Sequence, residues 1–172
     1  MRYNKIRKMD IVDGPGVRVS IFEQGCSFNC KNCFNPETHD FTAGKEFTDE
    51  TINRVLELCD KDYIEGLSIL GGEPMHPSNI EGTEKLARSF KEKFPNKNLW
   101  VWSGFSFDKD LKDKEVLKYV DVLVDGRYVD ELRNPMLEWK GSSNQRVIDV
   151  QQSLKNNNVI LYNDKIKRDI GA

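Results

Sequence analysis

Residues 17–33 read VRVSIFEQGCSFNCKNC, and this stretch decides how the rest of the chain is interpreted. In its first part the apolar residues Val17, Val19 and Ile21 alternate with polar ones, a period of two that predicts a β-strand. The turn signal DGPG at residues 13–16 precedes this strand. In its second part, three cysteines follow within the loop that leaves the strand. The stretch therefore predicts a strand that delivers three thiols to one loop.

The segments after these cysteines alternate between helical and strand patterns. The first predicted helix is capped by Thr48 and carries Ile52, Val55, Leu56 and Cys59 on its apolar face. The elements predicted after it, in chain order, are a strand at 66–70, a helix over 83–94, a strand at 98–102, a short helix within 111–120 and a strand at 121–125. Strands separated by helices predict βαβ units and a parallel sheet. Ligands of such folds bind at the carboxyl ends of the strands, so we expect the intervening loops to form one site.

The length of the chain limits this fold to part of a barrel. A closed eightfold βα barrel needs about 250 residues, whereas the chain has 172. We therefore predict an α/β fold with a mainly parallel sheet in a partial, open barrel, with the site at its mouth. The prediction is one domain over residues 1–172, with a core at about 5–150. Residues 147–150 and 159–162 have extended patterns, and 151–172 are expected to form a loose tail.

Composition excludes several classes of function. The chain has 26 basic and 28 acidic residues, a net charge of −2, and no basic stripe of the kind that binds nucleic acid. The longest apolar run is a few residues, too short to span a membrane, and the first residues lack the apolar core of a signal peptide. We expect a cytoplasmic protein that binds neither nucleic acid nor membrane.

Three of the four cysteines, Cys26, Cys30 and Cys33, lie within eight residues. Clustered thiols in a reducing compartment bind metal or carry out redox chemistry more often than they form disulfides. Simple iron–sulfur carriers use four cysteine ligands, but the fourth cysteine, Cys59, is predicted on the buried face of a helix. Three protein ligands would leave one coordination position open, which is typical of catalytic rather than structural metal sites.

The cysteine spacing alone leaves other interpretations open. A zinc site completed by His39 or His76 would use the same thiols, and the three cysteines could also be free. The turn GGEP at residues 71–74 is, on its own, only a strand-ending turn.

Taken together, these motifs resemble those of radical S-adenosylmethionine enzymes, which carry the same cysteine spacing after the first strand and a Gly-Gly-Glu turn after the second. Within this superfamily, the chain is most similar to the activating proteins of anaerobic ribonucleoside-triphosphate reductases, over residues 5 to about 150. The segments that carry this similarity are DGPGVR (13–18), CFNPET (33–38), WVWSGF (100–105), DVLVDG (121–126) and GSSNQ (141–145).

The resemblance implies an oxidoreductase with one 4Fe–4S cluster on Cys26, Cys30 and Cys33, and S-adenosylmethionine on the open iron. It implies that an electron, from a flavodoxin- or ferredoxin-type donor, cleaves S-adenosylmethionine to methionine and a 5′-deoxyadenosyl radical. This radical would take a hydrogen atom from a backbone glycine of the reductase, without a side-chain acid or base. The open side of a partial barrel would admit the loop that carries this glycine.

The resemblance also implies which residues contact S-adenosylmethionine. We expect the Glu73 turn to bind its ammonium group, Asp125 its ribose, Arg127 its carboxylate and Phe34 its adenine. At Asn32, immediately before the third cysteine, many members of the superfamily have an aromatic residue. The full predicted set is Asn32, Cys33, Phe34, Gly71, Gly72, Glu73, Asp125 and Arg127.

Two further functions remain open on the sequence. One is a radical S-adenosylmethionine enzyme that acts on a small molecule rather than on a protein. The other is a zinc-binding module without enzymatic activity.

Overall fold

The computed structural model describes residues 1–163 and consists of a seven-stranded sheet with helices. The strands are β1 (Arg2–Asp10), β2 (Arg18–Gln24), β3 (Lys45–Glu46), β4 (Gly66–Gly71), β5 (Asn98–Trp102), β6 (Val122–Asp125) and β7 (Arg146–Asp149). The α-helices are α1 (Asp49–Cys59), α2 (Ile80–Lys93) and α3 (Val150–Asn156), and single helical turns occupy Pro36–Thr38, Phe107–Leu111, Glu115–Lys118 and Asp130–Leu132. No helix in this part of the chain has the length and apolar character needed to cross a bilayer.

The sheet is mixed, with the order β3-β1-β2-β4-β5-β6-β7. Its four central strands, β2, β4, β5 and β6, run parallel to one another, as the alternation of strands and helices predicts. Strands β1, β3 and β7 pair antiparallel with their neighbours. Because the edge strands β3 and β7 do not pair with each other, the sheet is not closed. The predicted α/β class with an open sheet is therefore confirmed.

One face of the sheet packs against α1 and α2 to form the main core. Val19, Ile21, Leu67 and Leu99 of the parallel strands are fully buried in this cluster, together with Phe90 of α2. The predicted N-cap of α1 is confirmed, because the backbone N–H of Thr48 donates to Thr51 Oγ1 at 3.2 Å. Burial of these apolar side chains, at about 25 cal/mol per Å², is the main source of stability.

A buried arginine, Arg18, covers part of the opposite face of the sheet. Arg18 has no exposed surface, and its guanidinium donates to Ser68 Oγ at 2.7 Å and to Asn98 Oδ1 at 2.6 Å. It also donates to the carbonyl of Leu67 at 2.8 Å. Buried charged groups require such hydrogen bonds to offset the loss of hydration. Arg18 therefore ties three parallel strands together below the candidate site.

Strand β1 is absent from the sequence prediction. Its apolar residues Tyr3, Ile6 and Met9 are three positions apart, a spacing that lacks the alternation typical of strands. The strand forms because it pairs with β2 on one side and with β3 on the other. The short helix expected within 111–120 is present as the single helical turn Glu115–Lys118, and a separate turn, Phe107–Leu111, precedes it.

The expected loose tail begins instead with an ordered helix, α3. The Asp149 side chain accepts the N–H of Gln152 at 3.1 Å and caps this helix. Asn157, with φ of 52°, ends it in the left-handed conformation that asparagine tolerates. The asparagine run at 156–158 is thus a helix stop signal. Of the second extended segment, Leu161 bridges to Ile148, and residues 164–172 lie outside the described part.

A buried carboxyl group at the end of β2 should make stability depend on pH. Glu23 is fully buried, and burial raises its pKa to about 8, although the hydroxyl of Thr83 lies within hydrogen-bond distance of both carboxyl oxygens, at 2.9 and 3.0 Å. Between the ordinary glutamate pKa and about 8, folded Glu23 retains a proton that the unfolded chain releases. The free energy of unfolding should therefore fall as the pH rises through this window, by up to about 1.4 kcal/mol per pH unit.

Urea unfolding of the apoprotein between pH 5 and 8 tests this expectation. The Glu23→Gln variant should lose this part of the pH dependence, whereas Glu57→Gln on the exposed face of α1 should keep the slope of the parent chain. An unchanged slope in Glu23→Gln would show that Glu23 is not the titrating group.

Candidate functional site

A cavity of about 500 Å³ lies at the carboxyl ends of the parallel strands. Its volume falls within the range of small-molecule and cofactor sites. The predicted residues that line it are Cys26, Cys30, Cys33, Phe34, Gly71, Gly72 and Glu73. The loop after β2 supplies the cysteines and Phe34, and the turn after β4 supplies the other three. The structure therefore brings the two predicted motifs together at one edge of the sheet, as parallel strands require.

The cysteine loop is closed at its base by its own backbone. The N–H of Gly25 donates to the carbonyl of Thr38 at 2.8 Å, and the N–H of Cys26 donates to the carbonyl of His39 at 3.1 Å. Within the loop, Asn29 adopts a left-handed conformation, with φ of 48°. Asparagine accepts this conformation more readily than most residues. The loop can therefore turn tightly between the first and second cysteines.

The cysteine thiols are partly buried in this loop. Burial raises the pKa of Cys26 and of Cys33, even though the N–H of Asn35 donates to Cys33 Sγ at 3.4 Å. Since the thiolate is the form that binds metal, the positive charge of bound iron would have to displace these protons. Cys59, the last residue of α1, is fully buried in the main core and does not line the cavity. Burial raises the pKa of its thiol to about 12. Its predicted role as a buried apolar residue is confirmed.

The donor set fits a cluster of several irons. Cys26, Cys30 and Cys33 lie on one short loop and line one cavity, and thiolates are the usual ligands of iron–sulfur clusters. In a 4Fe–4S cluster each thiolate binds a different iron, so its ligands need not converge on one point. Of the histidines considered for zinc, His76 accepts the N–H of Ser78 at 3.1 Å, and His39 lines the cavity with its Nε2 buried and unpaired.

The side chain of Glu73 is buried at the back of the cavity. It is 2% exposed, and its carboxylate accepts hydrogen bonds from Ser103 Oγ at 2.7 Å, the N–H of Gly104 at 2.7 Å and the N–H of Met75 at 2.9 Å. Burial raises its pKa to about 7, although these bonds favour the ionised form. Glu73 thereby connects the turn after β4 with the end of β5.

The Gly-Gly-Glu turn lies in direct backbone contact with the start of the cysteine loop. Gly71 has φ of 108°, a conformation that side chains rarely permit. A Cβ on Gly72 would lie 2.6 Å from the carbonyl oxygen of Gly25. The N–H of Glu73 also donates to this carbonyl, at 2.9 Å. Glycine is therefore required at both positions for the two motifs to meet.

A buried asparagine holds the same two motifs together. Asn79, 2% exposed, donates through Nδ2 to the carbonyls of Gln24 at 3.1 Å, Gly25 at 3.3 Å and Glu73 at 3.1 Å. These carbonyls belong to the end of β2, the start of the cysteine loop and the Gly-Gly-Glu turn. The Asn79 amide thus reinforces the direct hydrogen bond between Glu73 and Gly25 that joins the two motifs.

The loop between β6 and β7, residues 126–145, forms another wall of the cavity. Gln145 joins its two ends, since Oε1 accepts the N–H of Gly141 at 2.9 Å and Nε2 donates to the carbonyl of Gly126 at 2.8 Å. This contact gives the GSSNQ motif a structural role. The residues of this loop that line the cavity are Gly126, Tyr128, Leu137, Trp139, Lys140, Gly141 and Gln145.

The same loop also packs against the cysteine loop. Asn32 donates to Asp130 Oδ2 at 2.7 Å, and the ring of Phe34 lies edge-on to Tyr128 with centroids 5.2 Å apart. Phe34 is 60% exposed, and the guanidinium of Arg133 lies over its ring, 5.6 Å from the centroid. The side chain of Asn32 is directed toward Asp130, and Asn32 does not line the cavity.

Asp125 and Arg127 line a second, adjoining cavity of about 340 Å³, which shares Gly126 with the first. The Asp125 carboxylate accepts from Arg146 Nε at 2.9 Å and from the N–H of Phe107 at 2.8 Å. Arg127 donates to the carbonyl of Phe28 at 2.5 Å. The structure therefore does not bring these two residues into the cavity that holds the cysteines.

Sequence reasoning missed several residues of the site. Ser103 and Gly104 follow a predicted strand end, a position that favours site residues and could have identified them. The cavity positions of Lys140 and Trp139 depend on the fold of a long loop, and Asn79 is one of several polar residues before α2. No local pattern distinguishes these three residues.

Comparisons with known proteins agree with this site. Residues 12–148 match the model of a 4Fe–4S single cluster domain. The chain is 42% identical to the anaerobic ribonucleoside-triphosphate reductase-activating protein of Enterobacteria phage T4 over 147 residues. This aligned stretch covers 86% of this chain and 93% of the phage protein. The proteins of the same name from Vibrio cholerae and Escherichia coli K12 are 37% and 36% identical over 148 and 150 residues, or 96% and 97% of their lengths.

The match over residues 12–148 thus places this chain among the iron–sulfur proteins with a single cluster. Within this class, the chain belongs to the family of anaerobic ribonucleoside-triphosphate reductase-activating proteins.

Proposed function

We propose that this chain activates an anaerobic ribonucleoside-triphosphate reductase by generating a glycyl radical on it. The observation that carries this proposal is the shared cavity of the three-cysteine loop and the Gly-Gly-Glu turn. When bound, a 4Fe–4S cluster supplies the electron that cleaves S-adenosylmethionine to methionine and a 5′-deoxyadenosyl radical, which abstracts hydrogen from a glycine of the reductase. Iron–sulfur potentials depend on exposure and hydrogen bonding, so partial burial of the cysteine loop bears on this step.

The residues of the cavity have separate roles in this proposal. Cys26, Cys30 and Cys33 would hold the cluster through three of its irons, which would leave the fourth iron for S-adenosylmethionine. The Glu73 carboxylate has about four acceptor positions and uses three of them within the protein. The remaining one can accept the ammonium group of S-adenosylmethionine, and this positive charge would favour the ionised carboxylate. Phe34 offers its largely exposed ring to adenine.

Three further predicted residues, Asn32, Asp125 and Arg127, lie outside the cavity that holds the cysteines. Asp125 and Arg127 line the adjoining cavity. The contact of Asp125 with the ribose stays a prediction, and the carboxylate contact predicted for Arg127 is tested below against that of a second cation. Asn32 supports the cysteine loop through Asp130. We further infer a partial radical S-adenosylmethionine barrel that forms one domain over residues 1–172, since the parallel strands β2, β4, β5 and β6 all end at the site.

The open sheet supports a protein substrate. A small-molecule enzyme benefits from an enclosed pocket, whereas a glycine within a large partner needs an opening through which a loop can enter. At the N-terminal side of the cavity, Ile11 and Val12 are 75% and 68% exposed, and Val12 itself lines the cavity. Exposed apolar residues of this kind favour contact with another protein. We infer that the reductase docks there and that a flavodoxin- or ferredoxin-type protein delivers the electron.

A direct assay tests the proposed function. The chain is reconstituted anaerobically with iron and sulfide and mixed with the reductase, a reductant and S-adenosylmethionine. We expect a glycyl radical signal in electron paramagnetic resonance, and no signal when S-adenosylmethionine is omitted. Cleavage of S-adenosylmethionine without a radical on the reductase would contradict the activating function and favour a small-molecule substrate. Purification with bound zinc in place of iron would contradict the radical chemistry.

A further inference from the structure

The cavity is lined by only four residues with charged side chains among those described, namely Arg7, Asp13, Glu73 and Lys140. The charge of Arg7 is already compensated, because its guanidinium lies 3.1 Å from Asp10 Oδ2 and 3.5 Å from Asp13 Oδ2. It also packs over the ring of Phe22, 4.6 Å from the centroid. Arg7 is therefore a poor candidate for binding an anionic group of a ligand.

Lys140 is the other cation of the cavity. Its ammonium group donates to the carbonyl of Gln145 at 2.8 Å and, within residues 1–163, no carboxylate lies within ion-pair distance of it. An ammonium group has three donors, so two remain for a ligand. Lys140 is thus a partly buried cation in the cavity without an anionic partner.

The backbone on both sides of Lys140 is fixed by hydrogen bonds. The carbonyl of Trp139 accepts Nε1 of Trp102 at 2.7 Å, which ties this residue to the end of β5. The N–H of Gly141 donates to Gln145 Oε1 at 2.9 Å. A lysine held in this way loses less conformational entropy on binding a ligand than one on a free loop.

We propose that Lys140 binds the carboxylate of S-adenosylmethionine. This inference rests on the proposed function. The amino acid part of S-adenosylmethionine carries one ammonium and one carboxylate group, and the cavity offers one buried carboxylate, Glu73, and one uncompensated cation, Lys140. The residue expected from the sequence, Arg127, instead donates to the carbonyl of Phe28 and lines the adjoining cavity. Lys140 therefore takes the role that the sequence pattern assigned to Arg127.

The test compares two ligands on the reconstituted protein with its cluster oxidised, so that no cleavage occurs. S-adenosylmethionine carries the carboxylate, whereas decarboxylated S-adenosylmethionine lacks it. In Lys140→Met, the affinity for S-adenosylmethionine should fall about tenfold or more, as for loss of a charge-assisted hydrogen bond. The affinity for the decarboxylated ligand should stay within about twofold of its value in the parent chain, because the lost contact is absent from that complex.

Two variants serve as controls. Lys97 also donates to backbone carbonyls, those of Cys59 at 2.8 Å and Lys61 at 2.7 Å, but lies outside the cavity. Lys97→Met should therefore keep both affinities. Arg127→Met tests the competing assignment, and we expect no loss that is specific to S-adenosylmethionine. Iron content must match that of the parent chain in every variant, and Lys140→Gln replaces Lys140→Met if the latter fails to take up iron.

The outcomes separate the two levels of the proposal. If the parent chain with its cluster binds no S-adenosylmethionine, the proposed function fails. If the parent chain binds S-adenosylmethionine and the Lys140 variants bind both ligands as tightly as the parent chain does, only the role of Lys140 is overturned. The role of Lys140 is also overturned if the Lys140 variants lose equal affinity for both ligands. The same holds if Arg127→Met alone loses affinity for S-adenosylmethionine and not for the decarboxylated ligand.

Discussion

The Cys30→Ala variant is expected to lose the 4Fe–4S cluster together with all cleavage of S-adenosylmethionine. Cys30 lies between the other two ligands in one short loop and lines the same cavity. With one of three thiolates removed, two protein ligands would have to retain a cluster whose fourth iron is already open. Iron and sulfide analysis after anaerobic reconstitution, with 5′-deoxyadenosine as the product of cleavage, measures both losses.

Cys59→Ala provides the matched control. Cys59 is a cysteine of the same chain, but it is buried in the core and lies outside the cavity. Its replacement should leave the iron content unchanged and cost on the order of 1 kcal/mol of stability through a small cavity. Loss of iron from Cys59→Ala would identify it as a fourth ligand and remove the open coordination position that the radical chemistry requires.

The Gly72→Ala variant is expected to lower the rate of S-adenosylmethionine cleavage by about a hundredfold while the cluster is retained. A Cβ at this position would lie 2.6 Å from the carbonyl oxygen of Gly25, and neither a Cβ nor a backbone carbonyl can move away by rotating a side chain. The Gly-Gly-Glu turn would have to move away from the cysteine loop. Displacements of about 1 Å in a site can reduce rates by this factor. Single-turnover formation of 5′-deoxyadenosine measures the effect.

Gly82→Ala in α2 is the control for this substitution. Its Cβ would meet the sulfur of Met1 at 2.6 Å, and this flexible side chain can move. Alanine also favours a helix over glycine by up to about 1 kcal/mol, so this variant should keep the rate and the stability of the parent chain. A Gly72→Ala protein with the rate of Gly82→Ala would show that the turn tolerates a side chain.

The central parallel strands were predictable because their residues decide the structure locally. Strands β2, β4 and β5 combine a clear apolar pattern with a turn signal at one end, and α1 combines a capping threonine with an apolar face. Part of the cavity was predictable as well, because Cys26 and Glu73 follow parallel strands, and parallel strands end at the same edge of the sheet.

The remaining elements depend on tertiary contacts. Strand β1 lacks an alternating pattern and is held by pairing on both sides. The positions of Arg127 and Lys140 depend on how the loop of residues 126–145 folds, which is fixed by Gln145, a residue at its end. A pattern within the loop cannot reveal which of its side chains faces the cavity. For this reason the sequence alone does not show that Arg127 lines the adjoining cavity while Lys140 lines the cavity of the cysteines.

The three tryptophans of the chain, Trp100, Trp102 and Trp139, belong to one aromatic cluster. Two of them, Trp102 and Trp139, line the cavity. Tryptophan emission from this protein therefore originates in one aromatic cluster that borders the cavity. Intrinsic fluorescence gives a label-free optical signal from that location, which makes loading of the cavity observable in real time under strict exclusion of oxygen.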